Sequence, residues 1–172
     1  DLGFADLANL LIWPGVVLAI LSAVYTAFLF APAEGRALWQ STLLPAHLFV
    51  QAIMAGAAAL LIAAPFFRQT SNMLVWTFGL SVLVNVLITV GGEFGTPHAS
   101  QVAAAAAHLI THGKYKPHYW FSLIVGAVLP LAVVAFANTS PLALAVAGLL
   151  SLLGLFAYEW AFVMAPQEVP NN

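Results

Sequence analysis

Cysteine is absent from this chain of 172 residues, and charged residues are scarce. The first absence excludes disulfides, thiolate metal sites and cysteine-ligated iron–sulfur clusters within the chain. Only 6 % of the residues are charged and the net charge is −2, so we expect no nucleic-acid partner. The sequence contains no phosphate-binding loop, dinucleotide-binding fingerprint or nucleophile elbow. Nucleotide and hydrolytic chemistry are therefore not expected of this chain.

Apolar residues, by contrast, make up 63 % of the chain. Runs of about 20 apolar residues become spanning helices in lipid, because every backbone N–H and C=O must be satisfied internally. The sequence predicts five such spans, at residues 7–30, 43–66, 73–90, 118–136 and 141–164. We therefore expect an all-α integral membrane protein, in which these helices form a single transmembrane domain in the lipid bilayer.

An odd number of spans places the two termini on opposite sides of the membrane. The first loop, residues 91–117 and the C-terminus then share one side, which we call face 1; the other side is face 2. Arg36, Lys114 and Lys116 belong to face 1, whereas Arg68 is the one basic residue on face 2. The excess of basic residues predicts that face 1 is cytoplasmic.

The segment 91–120 holds most of the histidines and an unusual share of the charges. Its alanine run, 103–107, favours helix and meets no breaker before Gly113, so we predict a short amphipathic helix between the third and fourth spans. The titratable residues of the segment are Glu93, His98, His108, His112, Lys114, Lys116 and His118. On a helix, His98, His108 and His112 would share one face.

Three roles are open for these histidines. They could anchor an amphipathic helix at the interface, or serve as a proton relay or quinone-headgroup contact, since imidazole titrates near neutral pH. His108 and His112 stand at i and i+4, a spacing that could chelate a metal ion. No carboxylate lies within a turn of them and no HExxH motif is present, so we expect no metal to be bound by this chain.

A polar stripe runs along the third span toward face 1. Ser81, Asn85, Thr89 and Glu93 follow one another at intervals of four, which keeps them near one side of a helix. Hydroxyl groups in such a stripe commonly form interhelical hydrogen bonds. An amide and a carboxyl are costly to bury without partners, so they indicate a proton path or a quinone contact.

Other titratable residues converge on the same side of the membrane. His47 in the second span, Glu159 in the fifth and Glu34 in the first loop all lie toward face 1. His47 and His118 are at the same depth, which is the arrangement for one b-type haem, and such a cytochrome anchor is the alternative prediction. The first, third and fifth spans lack histidine, so a second haem would have no ligand pair.

Recognisable motifs are present in both halves of the chain. The first half carries Tyr25-Thr26-Ala27, the loop GRALW at 35–39 and a Pro-led span from Pro45 to Gly56. The second half carries Glu93, His98 and His108, then HGKYKPHYWFSLIVGAVLP and the ending AYEWAFVMAPQEVPNN. These motifs resemble the NrfD/PsrC type, the membrane subunit family of polysulfide reductase. Membrane subunits of alternative complex III belong to the same type.

The resemblance implies a non-catalytic, haem-free helical subunit of the prokaryotic plasma membrane. Such a subunit exchanges electrons between menaquinone or ubiquinone and an iron–sulfur subunit, which is joined to molybdopterin or multihaem subunits and to further membrane subunits. Family members usually have eight or more spans, so five spans imply the C-terminal part of a longer subunit. The proton-path and quinone candidates are then Glu93, Asn85, Thr89, Ser81, His98, His108, His112 and Glu159. A purely structural anchor remains a further alternative.

Overall fold

The computed structural model describes residues 3–30, 32–33, 36–67, 70–136 and 140–170. Glu34, predicted to lie toward face 1, and Arg68, predicted to lie on face 2, are outside these residues. Five long apolar helices and one short helix occupy the described part. They are α1 (Phe4–Phe30), α2 (Leu44–Phe67), α3 (Asn72–Glu93), α4 (Gln101–Thr111), α5 (Lys116–Phe136) and α6 (Pro141–Glu168). A 3₁₀ turn, Ala37–Gln40, precedes α2.

The five long helices are long and apolar enough to cross a membrane, which confirms the predicted all-α membrane bundle. The short helix predicted between the third and fourth spans is also present, as α4. Three bounds differ from expectation by three residues or more. The first helix begins at Phe4 instead of Leu7, the third span continues to Glu93 instead of ending at Val90, and the fifth continues to Glu168 instead of Met164. Glu93 therefore belongs to a helix and not to a loop.

The helix α1 is almost entirely exposed on the surface of the described structure. It is apolar all round, and Ala27 is its one described residue that is buried. Near this end, the ring of Phe30 stacks on that of Trp39, with centroids 4.8 Å apart. A uniformly apolar helix has no side that prefers the protein to lipid tails, so α1 joins the bundle only where its last turns meet the 3₁₀ turn and α2.

The centre of the bundle is formed by α2, α3, α5 and α6, which approach closely at small residues. A Cβ added to Gly154 of α6 would lie 2.3 Å from the Cα of Gly126 in α5, and one added to Gly148 would lie 2.7 Å from the carbonyl oxygen of Ala58 in α2. Glycine at these crossings permits backbone-to-backbone contact.

Two prolines inside the helices are compensated by side chains from elsewhere in the fold. Pro130 has no N–H for the carbonyl four residues earlier, that of Gly126. Ser151 Oγ of α6 donates to this carbonyl at 2.8 Å. In α6, Pro166 leaves the carbonyl of Phe162 without its α-helical donor in the same way, and Trp39 Nε1 donates to it at 3.0 Å. Both kinks are thus held by tertiary hydrogen bonds.

Two helices contain π-helical turns, in which each N–H bonds to the carbonyl five residues earlier. One is Leu87–Glu93 in α3, closed by a bond of 3.0 Å from Phe94 N to the Thr89 carbonyl. The other is Ile124–Val128 in α5, closed by a bond from Leu129 N to the Ile124 carbonyl. Such turns are rare and frequently mark functional sites.

Candidate functional site: a buried histidine–carboxylate cluster

The π-helical end of α3 aligns three of its polar side chains with a histidine of α2. In an α-helix a spacing of four overshoots each turn by about 40°, so Asn85, Thr89 and Glu93 would drift around the helix. The wider turn of the π-helix opposes this drift. All three side chains consequently reach His47, which is 1 % exposed.

His47 makes its contacts through both ring nitrogens. Its Nε2 lies 3.0 Å from Asn85 Oδ1, and 3.3 Å from both Thr89 Oγ1 and Gln51 Nε2. Its Nδ1 lies 3.6 Å from Glu93 Oε1. The contacts of Nε2 include the amide oxygen of Asn85, which can only accept, and the amide nitrogen of Gln51, which can only donate. Each tautomer of the neutral ring therefore satisfies one of these two contacts.

The position of Nδ1 has a consequence for Glu93. With the hydrogen on Nε2, the unprotonated Nδ1 and a carboxylate oxygen would face each other as two acceptors, which is unfavourable at low dielectric. A hydrogen on Nδ1 or on the carboxyl removes the conflict. The favourable arrangements thus place one proton between the two groups. Glu93 is 4 % exposed, and within the described part of the chain its Oε1 has no hydrogen-bond partner.

The cluster includes three residues of α2 and α6 besides His47. The Tyr158 ring lies 5.4 Å from that of His47, and its hydroxyl is buried with no hydrogen-bond partner among the described residues. The Gln51 side chain reaches both His47 and the carboxyl of Glu159. Of these three, sequence reasoning proposes only Glu159. Gln51 stands one helical turn after His47, a spacing that could have identified it.

Ser81 is the member of the predicted stripe that does not contact the cluster. Its hydroxyl is buried and donates to the Phe78 carbonyl of its own helix at 2.8 Å. It lies one turn before Asn85, in the α-helical part of α3, where no π turn directs it toward His47. The stripe that contacts His47 thus begins at Asn85.

The three histidines of the segment before α5 are not brought to His47. His98 precedes α4, which begins after an N-cap at Ser100, so the prediction that His98 shares a helical face with the other two is wrong. The backbone of residues 98–100 is irregular, and Ser100 caps the helix more favourably than an earlier start would. His108 and His112 lie on the exposed side of α4. In the described residues, no group of three or more histidines and acids could hold a metal ion.

His118 lies at the start of α5, beside an open groove on the surface of the bundle. The groove has a volume of about 560 Å³ and an apolar lining, formed by Pro117, His118, Phe121, Leu153, Phe156, Ala157 and Trp160. These groove residues of α6 lie on a different side of that helix from Tyr158, which contacts His47. The two histidines of the haem alternative therefore occupy different surroundings, and both nitrogens of His47 face protein groups.

A second polar contact joins the start of α5 to the end of α6 on the aqueous side. Glu168 accepts hydrogen bonds from Lys114 Nζ and, at 2.7 Å, from Tyr115 Oη. The hydrogen bond and charge of Glu168 raise the pKa of Lys114. Burial, followed by the hydrogen bond to Glu168, raises the pKa of Tyr115. This contact holds α6 against the segment that covers the bundle at face 1.

The fold and the cluster together define a class: a multi-pass membrane protein with a titratable site buried near one end of its helix bundle. Comparison with known families gives the particular family. The family described as "Polysulphide reductase, NrfD" matches residues 4–171, so the chain belongs to it. It is accordingly a membrane subunit of a respiratory complex of the polysulfide or nitrite reductase type. No curated protein and no solved structure matches the chain.

Proposed function

We propose that this chain is a quinone-interacting subunit, the C-terminal part of a longer one, in which the His47–Glu93 pair exchanges the protons of quinone chemistry. Oxidation of a quinol releases two protons and two electrons, and reduction consumes them. In this proposal the electrons pass to or from an iron–sulfur subunit of the same complex, on the prokaryotic plasma membrane. The family membership supports the setting, and the cluster supplies a group that can take up a proton.

The observation that carries the proposal is the contact between a buried imidazole nitrogen and a buried carboxyl oxygen, which can hold one proton between them. His47 and Glu93 can alternate between a neutral pair and an imidazolium–carboxylate pair by moving one proton over the 3.6 Å that separates Nδ1 from Oε1. Asn85, Thr89 and Gln51 contact the other ring nitrogen and restrict rotation of the ring. Holding that nitrogen keeps Nδ1 directed at Glu93, as partners of catalytic imidazoles do.

The position of the cluster suits exchange with face 1. His47 lies in the first turn of α2 and Glu93 in the last turn of α3, so both are near the same membrane surface. Ionisable residues inside the bilayer are costly and by default mark proton or ligand sites. Glu159 extends the cluster along α6 through Gln51. His98, His108 and His112 are the remaining candidates for the surface end of the path.

The groove beside His118 supports the interaction with quinone. Its lining is apolar, and its volume of about 560 Å³ can receive part of an isoprenoid chain. His118 is the titratable residue of this lining, and its Nδ1 is buried with no hydrogen-bond partner in the described residues. A quinone oxygen can accept a hydrogen bond from that nitrogen once the ring turns toward the groove.

Replacement of Glu93 by Gln tests the proposal in the intact complex. The amide keeps the size of the carboxyl but cannot take up a proton near neutral pH, so quinone-coupled turnover should fall at least about tenfold, the scale of a lost proton-transfer group. The complex should remain assembled, and the infrared carboxyl band that responds to quinone reduction should disappear.

The matched control is Asp6→Asn, which also neutralises an acid but lies near the opposite end of the bundle, where Asp6 accepts a hydrogen bond from Gly3 N. This variant should keep normal turnover. If Glu93→Gln assembled and turned over normally, Glu93 would have no part in proton exchange, and the chain would be better described as a structural anchor.

A further inference from the structure

We infer that α4 carries a binding site for a divalent transition-metal ion, formed by His108 and His112 on the aqueous side of face 1. The two imidazole rings are stacked, with centroids 5.4 Å apart and planes 17° from parallel, so each ring turns about its Cβ–Cγ bond to direct a nitrogen at a shared ion. Both side chains are exposed, so a metal ion can reach them directly from water. This site is separate from the buried cluster at His47 and departs from the expectation, drawn from the sequence, that the chain binds no metal. It uses two of the three histidines proposed for the surface end of the proton path, but metal binding can be tested without that path.

The backbone at the end of α4 fixes the spacing of the pair. His112 is the residue that follows the helix, but its N–H still donates to the His108 carbonyl at 2.9 Å. The helical turn between them is therefore closed. Residues at i and i+4 then stand one above the other, as in helical metal sites that use two histidines.

A neighbouring hydroxyl selects the tautomer of His112. Thr111 Oγ1 donates its hydrogen to the Ala107 carbonyl at 2.9 Å, so it can only accept from His112 Nδ1, 2.8 Å away. The hydrogen of the neutral ring is thus on Nδ1, and the lone pair on Nε2 is free for a metal. Histidine ligands typically donate their second nitrogen to such a partner, which fixes ring orientation and strengthens the metal–nitrogen bond.

The ligand set decides which ions fit. Two neutral imidazoles suit Cu²⁺, Ni²⁺ and Zn²⁺, and disfavour Mg²⁺ and Ca²⁺, which prefer oxygen ligands. Water completes the coordination, because neither protein carboxylates nor further histidines lie within the same turn of α4. The positive charge nearest in sequence, Lys114, is paired with Glu168, which reduces its repulsion of a cation.

Titration of the detergent-solubilised complex with Cu²⁺, with a purification tag free of histidine, tests the site. We expect binding of one ion whose electron paramagnetic resonance spectrum shows two coordinated imidazole nitrogens. His112→Gln should leave one nitrogen and weaken the affinity at least about tenfold, and Thr111→Val should weaken it about tenfold by removing the acceptor for Nδ1–H. Both positions are at the surface, so folding should be unaffected.

Two further variants test the geometry with the number of histidines held constant. His112→Gln with Ala104→His places the second imidazole one turn before His108, at an exposed position, and should restore a two-nitrogen site. His112→Gln with Gln101→His places it two turns away and should not. Unchanged Cu²⁺ affinity in His112→Gln, or equal affinity in these two double variants, would overturn the inference.

Discussion

At the scale of single residues, two side chains replace hydrogen bonds that helices lose at proline. Ser151 donates to the carbonyl that Pro130 leaves free, and Trp39 donates to the one that Pro166 leaves free. In lipid no water is present to take over such a carbonyl, so the partner must come from the protein. The Pro in each helix and its distant donor therefore act as a unit.

Ser151→Ala should destabilise the bundle by about 1 kcal/mol, because the buried Gly126 carbonyl then loses its donor. Adding Pro130→Ala should recover most of this loss, since the alanine introduced there supplies the N–H that the helix lacked. Unfolding in mixed micelles measures both effects. A double variant as unstable as the sum of the single variants would show that Ser151 acts through packing and not through this carbonyl.

Because of the Lys114–Glu168 contact, we expect the packing of the end of α6 to depend on pH in the alkaline range. Glu168 raises the pKa of Lys114 above its usual 10.5, and burial raises that of Tyr115 above 10.0. Because both folded-state pKa values are raised, the stabilisation is complete below about pH 10 and is lost as pH rises through the raised values. The end of α6 should then loosen.

A spin label at Gln167→Cys reports this loosening, since the chain has no other cysteine. Its mobility should increase as the pH rises above about 10 in the wild type. In Lys114→Met the label should already be more mobile at pH 8, and its mobility should change less with pH. Identical pH profiles in the two proteins would contradict a role for the ion pair.

Much of the buried cluster can be predicted from the sequence at this scale, and some of it cannot. Asn85, Thr89 and Glu93 are identifiable because polar groups are costly within an apolar span. Tyr158 is not, because an aromatic residue in such a span is ordinarily part of the packing or the interface. Which side chains surround His47 depends on how α2, α3 and α6 pack, and the spacing within one helix does not contain that information.

At the scale of helices, close approach between α5 and α6 depends on a pair of glycines. The Cα of Gly126 occupies the space that a Cβ on Gly154 would need, and the reverse is also true. The π-helical turn Ile124–Val128 lies at this crossing and directs Gly126 at its neighbour. The sequence of the two helices gives no indication that these glycines face each other.

Gly154→Ala should destabilise the protein by about 1–3 kcal/mol, because the added methyl group meets backbone that cannot move without separating the helices. The matched control is Gly56→Ala in α2, where a Cβ would find no atom within 4 Å. That variant should be neutral or slightly stabilising, as alanine favours helix. Thermal unfolding of both proteins in detergent checks this. Equal melting temperatures would argue against the close crossing.

The presence of α3 can be predicted from the sequence more readily than the residue at which the helix ends. A hydrophobic run ends at Val90, and Gly91-Gly92 normally indicates the end of a helix. The helix continues as a π turn to Glu93 because Thr89, Gly92 and Glu93 pack against the start of α2. A Cβ on Gly92, for example, would lie 2.8 Å from Leu43 Cδ1. Tertiary packing overrides the local signal here.

At the scale of the whole molecule, the five spans predict which segments are exposed to the same aqueous side. Gln40→Cys and Ala99→Cys lie in face-1 segments, whereas Ser140→Cys lies on face 2. In intact membrane vesicles, an impermeant maleimide should label the first two together and the third only from the other side. Labelling of all three from one side would contradict the topology of five spans. The absence of native cysteine makes each label unambiguous.

The overall architecture follows from composition, because an apolar chain in lipid has few structures that satisfy its backbone. The family follows from short motifs, among them Trp39 in the loop before α2 and the polar segment that begins at Glu93. The sequence does not predict which of these motifs contact each other in the folded protein. Trp39 bonds to a carbonyl of α6, which is 123 positions later in the chain, and only the folded protein shows why a loop residue matters to the last helix.

The pairing of each kinking proline with a distant donor also has a consequence for the history of the family. The effect of each member of a pair on stability depends on the other member. Ser151 has no free carbonyl to donate to if Pro130 is replaced, and Pro130 leaves a buried carbonyl without a donor if Ser151 is replaced. Substitutions at the two positions should therefore be correlated among related sequences, and the same should hold for Trp39 and Pro166. Positions on α1, which mostly meet lipid, should vary independently of the rest of the chain.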